Sequence, residues 1–166
     1  MKNEKKSLFQ QLREAKGWSR DEASEQLEII TPERLERIEK GKFAIHPDEV
    51  LLMAEKYNAP ELVNYYCSKE CPIGQRYVPE VKIKDLSQIV LEMLASLNSM
   101  QKQQENLIEI TADGKIDNSE INKFIEIQNN LEKISITVET LQLWTEQMIA
   151  TGAIDAKAYK EAKKNS

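Results

Sequence analysis

The stretch GWSRDEASEQLEIITPERLERIEKGK (Gly17–Lys42) decides the fold of the first half of the chain. It contains two helix starts and two stops. Ser19 is placed to cap one helix, and Glu22, three residues on, completes a capping box. That helix is predicted to run to about Leu27, with Ala23, Ser24 and Leu27 on its inner face. Thr31 then caps a second helix whose first position is Pro32, where a missing N–H costs nothing. Leu35 and Ile38 form its buried pair, and Gly41 stops it.

Helices are predicted on both sides. One runs roughly from Lys6 to Lys16, with Leu8, Phe9, Leu12 and Ala15 on one face and Gly17 at its end. Pro47 opens another, with Asp48 and Glu49 in its first turn, where the helix dipole favours acids, and with Val50, Leu51, Met53 and Ala54 for its core. Pro60 opens a fifth, through Leu62, Val63 and Tyr66.

Together these features resemble the phage-repressor, or XRE, family of helix-turn-helix proteins over about residues 6–66. Gly17, the Ser19 cap, the Ala23/Ser24/Leu27 triplet, LERIEKG at the end of the third helix and IHPDEVLLMAEKYNAPEL beyond it carry the resemblance. The resemblance implies a five-helix module that binds double-stranded DNA with its third helix in the major groove, commonly as a dimer. By position it implies that Thr31, Pro32, Glu33 and Arg34 face base edges, with Arg37 nearby. Ser19 and Arg20 would lie at a phosphate, and Lys40 and Lys42 would flank the backbone. The pattern departs from the family in three places. The LEII turn is one residue longer than usual, Glu28 replaces the usual turn glycine, and Arg20 replaces the usual glutamine.

The third helix is acidic for a DNA reader, since Glu33, Glu36 and Glu39 sit among Arg34, Arg37, Lys40 and Lys42. Glu33 and Arg37 are four apart, as are Glu36 and Lys40, and each such pair stabilises a helix by about 0.2–0.5 kcal/mol. One reading is a self-paired solvated face. The other is that the arginines leave their glutamates when phosphate or guanine is offered, with Glu33 accepting from a cytosine amino group.

Charge gives DNA little help. The chain carries −5 overall, with twelve bases against fourteen acids in residues 1–72 and eleven against fourteen in residues 73–166. Strong nonspecific binding to polyanions is not expected. No apolar run follows the N-terminal lysines, and no segment nears the roughly 20 apolar residues that span a bilayer. Cytoplasmic location with reduced thiols is the expectation.

Cys67 and Cys71 form a C-x3-C pair, but with His46 they offer only three Cys/His ligands, short of a structural zinc site. Two ordinary thiols on one helix face are expected, with a redox or metal pair as the alternative. EITADGKIDNSE looks like a worn calcium loop; Glu109 and Thr111 are poor ligands, so Asp113 and Gly114 read as turn residues, with an Asp117–Glu120 capping box. A single histidine supports no catalytic triad. No enzymatic activity, cofactor or metal is expected.

The second half is repetitive. Leu86, Val90, Met93, Leu97, Met100, Gln104 and Leu107 recur at alternating spacings of four and three, as do Phe124, Ile127, Leu131, Ile134, Val138, Leu141, Thr145 and Met148. Two helices of about 28 and 31 residues, each about 40–45 Å long, are predicted to fold back as an antiparallel hairpin. Ile89, Leu94, Ile108, Ile121 and Trp144 widen the apolar stripes beyond a two-helix seam, which points to a homodimer built as a four-helix bundle.

The expectation is thus an all-α chain. Residues 1–70 form the helix-turn-helix domain, 71–82 a linker broken by Pro72, Gly74 and Pro79, and 83–166 the hairpin. A sequence-specific, dimeric transcriptional regulator is the leading function. An interaction adaptor whose third helix meets protein is the second.

Overall fold

The computed structural model describes residues 6–111 and 114–165, and all regular structure among them is helical. Asp113, one of the turn residues, lies outside the described residues. The chain forms two compact units. One comprises Met1–Glu80 with Thr145–Ser166, here called the head; the other is Val81–Trp144.

The head begins with five helices: α1 (Leu8–Ala15), α2 (Arg20–Leu27), α3 (Pro32–Glu39), α4 (Pro47–Tyr57) and α5 (Glu61–Tyr65). Local chemistry sets the starts. Ser7 accepts from the Gln10 N–H, Thr31 accepts from the Arg34 N–H, and Ser19 and Glu22 complete their reciprocal box. Phe9, Ala23, Leu27, Ile30, Leu35, Ile38, Val50, Met53 and Leu62 are all buried in one core. Leu51, expected inside, faces out, because Val50, Met53, Ala54 and Tyr57 already fill the inner face of α4. Trp18 meets Tyr57 edge-on with ring centroids 5.8 Å apart, and Phe9 meets Tyr65 the same way.

The turn between α2 and α3 contains one strained residue. Glu28 has φ 56° and ψ −46°, and the Ile29 N–H donates across it to the Leu27 carbonyl. This is a tight γ-turn of the rare hand, which a side chain disfavours. The position is the one where the family pattern carries glycine. Glu28→Gly is therefore expected to raise stability by about 1 kcal/mol, seen as a melting temperature about 4–8 °C higher.

The expected linker is more structured than its prolines suggest. Tyr66–Glu70 closes in a π-helical turn, and a short α6 (Gly74–Tyr77) follows. Gly74 is buried against the Cys67 carbonyl so closely that a Cβ there would stand 2.0 Å from its oxygen. No larger residue fits. Asn64 Nδ2 donates to the Pro79 carbonyl at 3.0 Å and secures the far end.

The other unit is the hairpin. Its first arm is α7 (Leu86–Lys102) and α8 (Gln104–Thr111), separated by a break at Gln103; its second is α9 (Ile121–Ala150), of which residues up to Trp144 belong here. Asp117 and Glu120 cap the turn, each side chain accepting from the other's backbone N–H. Asn130 donates to Gln103 at 2.7 Å and Lys123 pairs with Glu109 at 3.4 Å, a register that only antiparallel arms produce.

That register departs from the expected seam in part: the heptad residue Ile127 is buried as expected, and Met93, Met100, Phe124 and Ile134 are half-buried. The heptad residues Leu86, Val90, Leu97, Leu131 and Val138 are exposed, Leu97 at 48% and Val138 at 50%. Buried outside the heptad series are Ile89, Gln103 and Ile110 on the first arm and Asn130, Thr137, Thr140 and Leu143 on the second. The polar members are satisfied in place. Gln103 takes the Asn130 amide, and the two threonine hydroxyls donate to the Lys133 and Ile136 carbonyls of their own helix. The chain ends in α10 (Ala156–Lys164), capped by Asp155 and grouped with the head.

Candidate nucleic-acid interface

The three glutamates of α3 have three different fates. Leu35, Ile38 and Glu39 share the inner face of the helix, and Glu39 is completely buried. Its Oε1 accepts from Arg13 Nε at 2.5 Å, and its Oε2 from Arg13 Nη2 at 3.1 Å and Arg20 Nε at 2.9 Å. Arg13 also donates to the Trp18 carbonyl. One carboxylate thus ties α1, α2 and α3 together through two guanidinium groups. Glu36 pairs with Lys40 one turn away, as the spacing predicts. Glu33 remains exposed, and no ion pair joins it to Arg37 among the described residues.

Arg34 is not where the resemblance implies. Its Nε and Nη2 hold the two oxygens of Glu49 at 2.8 and 2.6 Å, its Nη2 also reaches the Ala44 carbonyl at 3.1 Å, and its guanidinium lies 4.4 Å above the centre of the Phe43 ring. Glu49 meanwhile accepts from the His46 N–H at the start of α4. Arg34 therefore joins α3 to α4, and its two-pronged pairing holds the Glu49 carboxyl below the usual carboxylate range. A base edge would have to displace all of these partners.

The second helix is similarly committed. Glu22 takes the Ser19 N–H at 2.7 Å, and its own carboxyl is lowered by that bond. A phosphate at this N-terminus would meet Asp21 and Glu22, so the expected anion site there is opposed by charge. Arg20 is held by Glu39 on one edge and is about one-third exposed.

What α3 does present outward is Thr31, Glu33, Glu36, Arg37 and Lys40, with Lys42 in the following loop. Arg37, Lys40 and Lys42 are all exposed, and the Arg37 guanidinium meets no carboxylate among the described residues. Pro32 is partly covered and begins the helix.

Residues 9–62, about a third of the chain, match the family model described as Helix-turn-helix. Over those residues the chain is similar to helix-turn-helix domains, in keeping with its resemblance to the XRE type. In this domain α2 and α3 are the helix pair, Glu28 is the turn, and α3 is the helix the family uses to approach DNA. Comparison with curated proteins and with solved structures finds no match. No helix among the described residues is long and apolar enough to cross a membrane.

The role of Glu39 was missed in the sequence, although its spacing from Leu35 and Ile38 was a usable signal. A carboxylate four residues after one core leucine and one after a core isoleucine shares their face. Its partners, 19 and 26 residues upstream, carry no comparable signal.

Proposed function

We propose that the chain is a sequence-specific DNA-binding transcriptional regulator that acts as a homodimer. The observation that carries the reading is the α3 surface of a helix-turn-helix domain, where Arg37 is exposed and meets no carboxylate among the described residues. In this reading Thr31, Glu33 and Arg37 meet base edges, and Lys40 and Lys42 meet phosphates. Ser19 offers its hydroxyl proton, and Arg20 the guanidinium edge that Glu39 does not hold. Arg34 is a positioning residue that fixes the tilt of α3 through Glu49.

The dimer reading is supported by the hairpin. A two-helix hairpin that buries amides and threonines while leaving Leu and Val in water has its apolar surface on the wrong side for a monomer. A second copy placed on that surface would complete a four-helix bundle.

Titration of a DNA-shift assay against salt tests the DNA reading. Each phosphate contact contributes about −0.9 to the slope of log affinity against log salt. Lys40→Ala with Lys42→Ala is expected to flatten the slope by about 2 per head. Arg37→Ala is expected to cost about 1–3 kcal/mol on the preferred site and little on random DNA. Unchanged binding in both variants would place the interface elsewhere.

An adaptor function is the second reading, favoured by Ile29, Phe43 and Leu51, which are exposed at 71%, 52% and 57% on the same domain. Retention of a protein partner after Arg37→Ala, with no DNA shift at low salt, would decide for it.

A further inference from the structure

The head contains a cleft of about 460 Å³, lined in part by Leu12, Ala15, Lys16, Tyr57, Glu61 and Gln147. All of these residues belong to the same unit. The cleft coincides with an anomaly in polar pairing. Among the described residues, three buried side-chain polar atoms lack a hydrogen-bond partner: Tyr57 OH, Glu61 Oε2 and Gln147 Oε1. All three residues line this one cleft. Elsewhere the buried polar side chains, from Arg13 and Glu39 to Asn130 and Thr140, are paired.

An unmet buried acceptor costs about 1–3 kcal/mol, so the two orphan acceptors on residues of this cleft, Glu61 Oε2 and Gln147 Oε1, describe a site built for groups the chain itself does not supply. The Tyr57 phenol, by contrast, also feels the charges of Glu39 and Arg13. The chemistry of the two acceptors is one-sided. A carboxylate oxygen and an amide oxygen only accept, while the Tyr57 phenol can donate as well as accept. The complement is a multiple donor, and the carboxylate asks that it be positive. Leu12 and Ala15 give the same cleft an apolar wall. Lys16 also lines the cleft and repels positive charge, so a ligand with one charge is opposed less than one with two.

We propose that this cleft binds a small organic monocation, a primary ammonium or guanidinium group on a short apolar body, with Glu61 and Gln147 accepting its N–H groups. The site does not depend on the DNA-binding reading, because it is read on the free protein.

The test is an NMR titration of the full chain with n-butylamine and n-butylguanidine, and with n-butanol and butyrate as controls. The two cations are expected to bind with a dissociation constant of about 1 mM or tighter, a reasonable range for ligands of this size. Glu61→Gln is expected to weaken them at least about 10-fold, since it removes the charge and keeps the shape. Gln147→Met is expected to weaken them too, while leaving the unliganded protein equally or more stable, because it deletes an orphan acceptor.

No saturable shift with either cation at about 10 mM would overturn the proposal. So would butanol binding as tightly as the amine, or unchanged amine binding in Glu61→Gln. A loss of unliganded stability in Gln147→Met would also count against it, by showing that the oxygen already has a partner.

Discussion

Glu39→Ala should destabilise the head by about 3–5 kcal/mol, the range for removing one member of a buried ion pair. The carboxylate is fully buried and Arg13, its main partner, is 7% exposed, so the deletion leaves a guanidinium in the interior with only the Trp18 carbonyl to bond. Glu14, 3.9 Å from Arg13 at the surface, is too distant and too wet to take over. Arg20 would lose its anchor but could turn to water.

Against a typical total stability of about 5–15 kcal/mol, such a loss brings a small domain near unfolding at ordinary temperature. Urea denaturation followed by tryptophan fluorescence in a Trp144→Phe background, which leaves Trp18 as the reporter, measures it. Replacing the charges together, Arg13→Met with Glu39→Leu, is expected to recover much of the loss, because a well-packed apolar pair avoids the desolvation cost that the ions carry. A Glu39→Ala variant within about 1 kcal/mol of the parent would mean that the triad behaves like a surface salt bridge and does not organise the three helices.

The second large effect concerns assembly. If the proposed dimer forms through the hairpin, Leu97→Lys with Val138→Lys is expected to give a monomer without loss of helix. Both side chains are about half exposed in the single hairpin, so each contributes less to its internal packing than the buried Ile89 and Ile127. In a symmetric pair each substitution counts twice. At about 1.5–3 kcal/mol for each buried Leu or Val, four lost contacts amount to about 6–12 kcal/mol, or at least a 10⁴-fold rise in the dissociation constant. Light scattering reads the mass, and circular dichroism checks the helix. A parent protein that is monomeric at micromolar concentration, or a double variant that stays dimeric, would remove the hairpin from the interface.

The head was legible in the sequence because its signals are local. Ser19, Thr31 and Pro32 mark helix starts through bonds made within three residues, and Gly17 and Gly41 mark stops through the left-handed backbone they adopt, with φ of 73° and 62°. The hairpin's two arms and its capped turn were legible for the same reason.

What was not legible depends on partners distant in sequence. A guanidinium on α3 looks equally available whether or not Glu49 waits 15 residues away, and only the fold shows that Arg34 is held. The hairpin's face was misread because two stripes share its heptad spacing. Leu86, Val90 and Leu97 mark one; Ile89, Gln103 and Ile110 mark the other. Hydrophobicity selects the first as the inner seam if the chain is alone. The second can serve because its two amides pair with each other and its threonine hydroxyls donate to carbonyls of their own helix, which leaves the greasier stripe exposed.

The α3 surface also answers the objection that this helix is too acidic for DNA. Glu39 is inside and Glu36 is already matched by Lys40, so Glu33 is the one carboxylate left to oppose Arg37 and Lys42. The outward balance is near neutral to slightly positive. That favours discrimination over nonspecific hold, since sequence is read by groups at base edges while phosphate contacts supply affinity to any duplex.

The most direct test of DNA reading by this domain is selection of bound fragments from a random duplex library by the purified full chain at low and at moderate salt. An enriched motif is predicted, with two inverted half-sites as a dimer requires, and its enrichment should vanish in Arg37→Ala. A library recovered without any enrichment at low salt, or the same motif recovered by Arg37→Ala, would contradict the account.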